Sequence, residues 1–202
     1  QPMGIYFTQQ MSDQGIQHAH NHNLDFTKSH HFVLAYDRSL SEYLRIKLET
    51  YYQKLFNIPV NPTAGSTYAV INQTDGYAAD PLVNEGEGHN YGVELTFEQF
   101  MHNDLYFLLS SSLYDSEYKT IDGIWRNTRY NGTYAVVFTA GKEFTWKKNR
   151  TFGINLRSTY LGGFRRTPVN VEESVVRGET VYIESEAFTE QLPDYFRTDL
   201  RI

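Results

Sequence analysis

The stretch Asn90–Tyr114 reads Asn-Tyr-Gly-Val-Glu-Leu-Thr-Phe-Glu-Gln-Phe, then Met101-His102-Asn103-Asp104, then Leu-Tyr-Phe-Leu-Leu-Ser-Ser-Ser-Leu-Tyr. In its first arm Tyr91, Val93, Leu95 and Phe97 alternate with Gly92, Glu94, Thr96 and Glu98. A period of two marks a strand with one apolar and one polar face. The short polar turn predicts that the two arms pair as a hairpin. Each arm has about ten residues, the length of a tilted strand crossing a bilayer, where soluble strands average about 5–6. A core-facing strand of a soluble protein can alternate in the same way, so the hairpin alone does not decide between the two.

The same pattern extends outward from this hairpin. Leu44, Ile46, Leu48, Thr50 and Tyr52 alternate with Arg45, Lys47, Glu49, Tyr51 and Gln53. At helical pitch the three aliphatic residues would spread around the axis, so the segment reads as a strand. Its run of charges suits a water-filled or plugged lumen better than a protein core. Strands are predicted at 26–37, 42–56, 88–100, 105–118, 132–144, 150–162 and 195–202. Short turns at 38–41, 101–104 and 145–150 alternate with long connections at 56–88, 115–132 and 163–194. Outer-membrane barrels have this rhythm of short periplasmic turns and long external loops; a sandwich gives no reason for it. Leu44, Ile46, Leu48, Val93, Leu95, Phe97, Ile154 and Leu156 are expected to face lipid. Arg45, Lys47, Glu49, Glu94, Glu98, Arg157, Arg197, Asp199 and Arg201 fall on the opposite faces and are expected to line a lumen.

The chain has 202 residues, a formal net charge of −6, no cysteine, 16 Tyr and 13 Phe. Without a basic patch, nucleic acid is not an expected partner. Disulfides and thiolate sites are excluded by composition. The tyrosines fit an aromatic girdle, or equally a Tyr-rich soluble carbohydrate-binding sandwich. No segment approaches 18 apolar residues, a test that barrel strands escape. The first residues do not read as a signal peptide, and Arg197–Ile202 stops inside an alternating run. Both ends read as cuts in a longer chain.

Candidate chemistry is sparse. His18, His20 and His22 project to one side of an extended segment and could converge on Zn²⁺ or Cu²⁺; no carboxylate or cysteine completes the set. Asp75-Gly76 and Asp80 faintly suggest a Ca²⁺ loop without EF-hand spacing. Glu85/Glu87 and Glu172/Glu173 are carboxylate pairs of the kind glycoside hydrolysis uses, but nothing supplies a pocket to raise a pKa. Gly-x-Ser-x-Gly and His-Glu-x-x-His are absent. No enzyme activity, metal or cofactor is expected.

Several pieces in order resemble one family. They are Leu48-Glu-Thr-Tyr-Tyr-Gln53 with Asn57-Ile-Pro-Val60, Asn84-Glu-Gly-Glu-Gly-His-Asn-Tyr-Gly-Val-Glu94, and Ser112-Leu-Tyr-Asp-Ser116. Arg126-Asn-Thr128 with Tyr130-Asn131, Gly141-Lys-Glu143, Gly162-Gly163 with Thr167-Pro-Val169, and Asp194-Tyr-Phe-Arg-Thr-Asp199 follow. Together they resemble the C-terminal half of the barrel of TonB-dependent outer-membrane receptors of Bacteroidetes-type bacteria, over nearly all of residues 23–202. The resemblance implies an all-β, antiparallel up-and-down transmembrane barrel, of whose 22 plugged strands residues 1–202 are one segment. It implies import of a scarce or large nutrient across the outer membrane of a Gram-negative cell. Siderophore, cobalamin, glycan and peptide all stay open. Implied partners are outer-membrane lipid, the protein's own plug domain, the TonB–ExbB–ExbD complex and a surface lipoprotein. The plug and TonB box have no counterpart in these residues, nor does the terminal strand.

Overall fold

The computed structural model describes residues 3–11, 17–74, 76, 78, 80–146 and 150–202, with backbone alone for 10, 11, 17 and 18. Strands β1 (Gln10–Met11) and β2 (Gln17–His18) form a small ribbon at the start. The body comprises β3 (Lys28–Ser39), β4 (Leu44–Val60), β5 (Val83–His102), β6 (Leu105–Lys119), β7 (Trp125–Asn127), β8 (Tyr134–Trp146) and β9 (Arg150–Leu161). Next come β10 (Arg165–Arg166), helix α1 (Val171–Arg177), β11 (Glu190–Gln191) and β12 (Tyr195–Arg201). Single 3₁₀ turns occur at Met3–Tyr6, Val70–Asn72 and Glu184–Glu186.

The main sheet is antiparallel, in the order β12-β9-β8-β6-β5-β4-β3, with β7 paired to the end of β6. The sheet is open, and β3 and β12 are its edges. The protein is thus all-β, and every expected strand is present. No α-helix lies between Leu44 and Tyr160 among the described residues, and none there is long and apolar enough to cross a membrane.

The ladder assigns every side chain to a face, because directly paired residues share one. Tyr36↔Leu48↔Leu95↔Ser111↔Val136↔Tyr160↔Phe196 is one continuous row on the apolar face. All eight residues expected on that face lie there. They form a single layer. Nothing among the described residues covers it, and Leu34, Phe196 and Leu113 are 74%, 68% and 67% exposed.

Full burial occurs elsewhere. The connections gather at one end of the sheet and pack into two clusters. Ile58, Val60, Ala69 and Tyr118 form one; Ile5, Tyr6, Val70 and Leu82 form the other. Polar ties run between connections: the Tyr118 hydroxyl donates to the Thr67 carbonyl (2.8 Å), Thr120 Oγ1 to Ser66 O (3.1 Å), and the Arg129 amide to Asn72 Oδ1 (3.0 Å). The opposite end has tight turns. At β5–β6, Asn103 and Asp104 both take positive φ (51° and 60°), as a two-residue turn matched to strand twist requires. The expected turn at 145–150 falls largely on residues 147–149, outside the described residues.

Two boundaries and one added element differ most from expectation. β5 begins at Val83, not 88, and β4 runs to Val60, so the expected excursion at 56–88 shrinks to 61–82. Gly86 and Gly88 read as loop punctuation, yet they lie within paired strand. A Cβ on Gly86 would come within 2.5 Å of Val60 Cγ1 and 2.8 Å of Ile58 O. Glycine lets β4, kinked at Asn57 (φ 58°), close on β5 across two register shifts. The third difference is α1, inside the expected connection 163–194. Asn170 caps it by accepting from the Glu173 amide (3.1 Å), and Gly178 ends it in the left-handed conformation.

Gly86→Ala should therefore destabilise the protein by about 1–3 kcal/mol, the usual cost of overpacking a filled contact. Gly153→Ala, where a new Cβ meets nothing within 4 Å, should be near neutral. Denaturant unfolding of the two variants beside the parent measures this; equal effects would refute the close-approach account.

Candidate functional site

The polar face of the sheet carries all nine residues that alternation assigned to a lumen. The register sorts them into two groups. On β3–β5, Arg45 grips Asp37 with two nitrogens (Nε–Oδ1 2.9 Å, Nη2–Oδ2 2.5 Å) and lies 3.9 Å from Glu98. Lys47 pairs with Glu49 (2.6 Å). Glu94 stands directly opposite Glu49 and has no ion-pair partner among the described residues. On β9 and β12, Arg157 is paired in register with Asp199. Asp199 takes its hydrogen bonds from Arg197 of its own strand instead (2.9 and 2.7 Å). Arg201 is opposite Asn155. Between the groups, β6 and β8 contribute Ser110, Ser112, Val137 and Thr139 to the same face. The charged wall is two patches separated by these uncharged residues, with Glu143 of β8 on the same face nearer the turn end.

Toward the loop end the polar face deepens into a concavity of about 590 Å³, lined by β3–β6 and by Ile71, Thr128 and Tyr130 from the connections. Its floor is a chain of hydrogen bonds. Asn90 Nδ2 donates to Gln53 Oε1 (2.8 Å), Ser116 Oγ to Asn90 Oδ1 (2.6 Å), and Thr128 Oγ1 to Ser116 Oγ (2.8 Å). Glu49, Glu94, Tyr51 and Tyr114 complete the wall. Alternation finds Tyr51, Gln53, Asn90 and Tyr114 on the polar face, but nothing in it separates them from their neighbours. Thr128 and Tyr130 come from a connection without periodicity, so no pattern exposes them.

That connection is anchored by charge. Asn131 Nδ2 donates to Asp115 Oδ1 (2.5 Å) and Asn127 Oδ1 (2.7 Å). Arg126 holds Asp122 through Nη1 (3.1 Å) and Nη2 (2.5 Å). The guanidinium bonds, with the Ile124 amide and Thr120 hydroxyl, hold the Asp122 carboxyl down at about 2. At the far side, Asp194 accepts from the Tyr134 and Tyr160 hydroxyls (2.6 and 2.9 Å), which keep it below the ordinary carboxylate range.

The other sequence candidates fall apart spatially. Glu87 pairs with Lys119 (3.4 Å) and Lys54 (3.8 Å) on the apolar-parity side beyond the tyrosines. Glu173 belongs to the cap of α1 and to an ion pair with Arg177. The His18 side chain and Asp75 lie outside the described residues. His22 rests against Asn23 (3.1 Å). The Asp80 carbonyl accepts from the buried Asn21 (3.0 Å). Among the described residues, no three His, Asp or Glu come together as a metal-binding group. Compared with protein-family models, curated protein sequences and solved structures, the chain matches none.

A depressed carboxyl stabilises the fold above its unfolded pKa, here 3.8, and loses that contribution as pH falls toward the folded value of about 2. Asp122→Asn should thus be less stable than the parent at pH 6, and the gap should close on acidification toward pH 2. Unfolding curves of both proteins across that range check the sign; a gap that is constant with pH would show that the pair contributes nothing through ionisation.

Proposed function

We propose that this chain is a segment of the wall of an outer-membrane β-barrel of the TonB-dependent transporter type, serving nutrient uptake. One observation carries the reading: a single-layered sheet exposes a continuous apolar face, while the other face of the same strands is polar and charged. A soluble sandwich needs a second sheet against that apolar face, and among the described residues there is none.

The dimensions support the same assignment. On β8 the apolar-face residues from Tyr134 to Phe144 span about 33 Å along the strand at about 3.3 Å per residue. At a tilt of about 40° that is roughly 25 Å of bilayer. Tyr52, Tyr91, Tyr134 and Tyr160 lie toward the loop end of this band, and Phe144, Phe152 and Trp146 toward the turn end. Lys142, on the apolar face, reaches out of the band to the Asn103 carbonyl in the turn (2.5 Å), as a snorkelling lysine does. In this reading the loop end is extracellular, the edges β3 and β12 pair with further strands, and the polar face lines the lumen and meets a plug. The TonB–ExbB–ExbD complex acts through parts of the protein outside residues 1–202, and a surface lipoprotein is a further candidate partner. No catalytic step or cofactor is assigned.

Fractionation of a Gram-negative cell making the whole protein tests this. The chain should partition with the outer membrane and migrate differently on a gel before and after heating. Recovery in the soluble fraction would overturn the reading. Leu95→Arg, which places a cation in the apolar band, should cost about 2–4 kcal/mol of folding in lipid. Ser112→Arg faces inward opposite Glu94 and should cost far less. Equal costs, measured by unfolding from lipid vesicles, would reverse the assignment of faces.

A further inference from the structure

The concavity on the polar face is made of ligand-binding chemistry, and its composition is selective. Tyr51 extends across the neighbouring strand: a Cβ at Gly92 would sit 2.9 Å from the Tyr51 hydroxyl oxygen. The phenol hydroxyl therefore reaches over the bare Cα of Gly92, and the side chain lines the cavity. His31 meets this ring edge-on, with centroids 6.1 Å apart at 87°. Tyr130, also in the lining, is held by an edge-to-face contact with Phe164 (5.7 Å, 84°).

The polar part is equally specific. Gln53 and Asn90 present amides beside Tyr51, and each retains donor capacity after its hydrogen bond in the floor chain. Glu49 is neutralised by Lys47, whereas Glu94 directly opposite has no cation among the described residues. Opposed like charges destabilise a sheet, so an unpaired carboxylate there has a cost that a ligand hydroxyl would offset. Among the described residues, no lysine or arginine lines the cavity. A phosphate, an acidic sugar or a ferric catecholate would meet the Glu49 and Glu94 carboxylates and no lysine or arginine of the lining. An uncharged polyhydroxylated ring fits each element. Its C–H face lies on the negative face of an aromatic ring, and its hydroxyls donate to the carboxylate and accept from the amides.

We infer that this concavity binds an uncharged oligosaccharide, with a sugar ring stacked on Tyr51 and its hydroxyls held by Gln53, Asn90 and Glu94. The inference rests on the transporter reading and names the class of solute that the wall recognises.

The test uses the whole protein, purified from the outer membrane in detergent. It is probed with an array of neutral oligosaccharides, and in parallel with acidic oligosaccharides, a ferric tris-catecholate and short cationic peptides. A neutral oligosaccharide should bind. Tyr51→Ala should weaken it by about tenfold or more, the loss typical of truncating an anchoring aromatic. Tyr51→Phe should keep the affinity, and Glu94→Gln, a conservative change, should lower it. Retained heat-dependent migration identifies variants that are folded. Binding of only the acidic, ferric or peptide probes overturns the inference, as does binding of no probe. Neutral-sugar binding unmoved by both Tyr51→Ala and Glu94→Gln overturns it as well. A protein that resides in the outer membrane and binds none of the sugars refutes the inference alone; a soluble protein refutes the transporter reading beneath it.

Discussion

Register is the constraint from which everything else in this molecule follows. In a pleated strand a slip of one residue exchanges the two faces completely. Here such a slip of β4 would put Arg45, Lys47 and Glu49 on the apolar face with Leu95 and Val136, and turn Leu44, Ile46 and Leu48 to the polar one. Two devices pin the register at opposite ends. The turn through Asn103 and Asp104, both in the left-handed region, sets β5 against β6. The kink at Asn57, with Ile58 opposite Gly86, ends the regular part of β4–β5 where the connections begin. Between Gln99, where β5 shifts by one residue against β6 just inside the turn, and Leu55 the ladder keeps one register.

The molecule buries its apolar residues in two physically different ways. At the loop end Ile58, Val60 and Tyr118 are fully enclosed, and buried Asn21 and Asn131 are tied by hydrogen bonds across the connections. That is the packing of a water-soluble protein. Along the strands no comparable core exists on either face. The apolar side chains of β3 to β12 share one uncovered face, and the proposed environment that removes them from water is lipid. In such a setting backbone groups must be satisfied within the sheet, which gives the long ladders a reason beyond strand propensity.

The strands were legible because period two persists over each of them. The limits of legibility have equally specific causes. Gly86 and Gly88 carry the ordinary signal of a loop, and only the approach of Ile58 and Val60, distant in sequence, shows why glycine stands there. Helix α1 had a readable cap in Asn170, Glu173 and Gly178, but its Glu172-Glu173 pair drew the reading toward chemistry. Alternation put the nine charged residues together on one face, as the register does. It could not say that Arg45 would choose Asp37, or that Arg197 would take Asp199 from Arg157, because those choices depend on rotamers and not on parity. The concavity depended on Thr128 and Tyr130, which reach it from a connection with no period at all.

The way the charges pair bears on how such a wall could work. Most ionic contacts on the polar face are settled within the sheet itself: Arg45 with Asp37, Lys47 with Glu49, Arg197 with Asp199. Pairs in wet surroundings contribute roughly 0–1 kcal/mol each, so their value here is less in stability than in cancelling the local field. A plug or a solute passing over them would meet many weak, exchangeable contacts and no deep electrostatic well. The serine- and threonine-bearing strands β6 and β8, between the two charged patches, extend that neutrality across the middle of the face. Glu94, left without a cation beside the tyrosines of the concavity, breaks the pattern. In the proposed transporter the balanced charges elsewhere would not hold a passing solute, whereas this carboxylate has its hydrogen-bonding capacity free for a ligand.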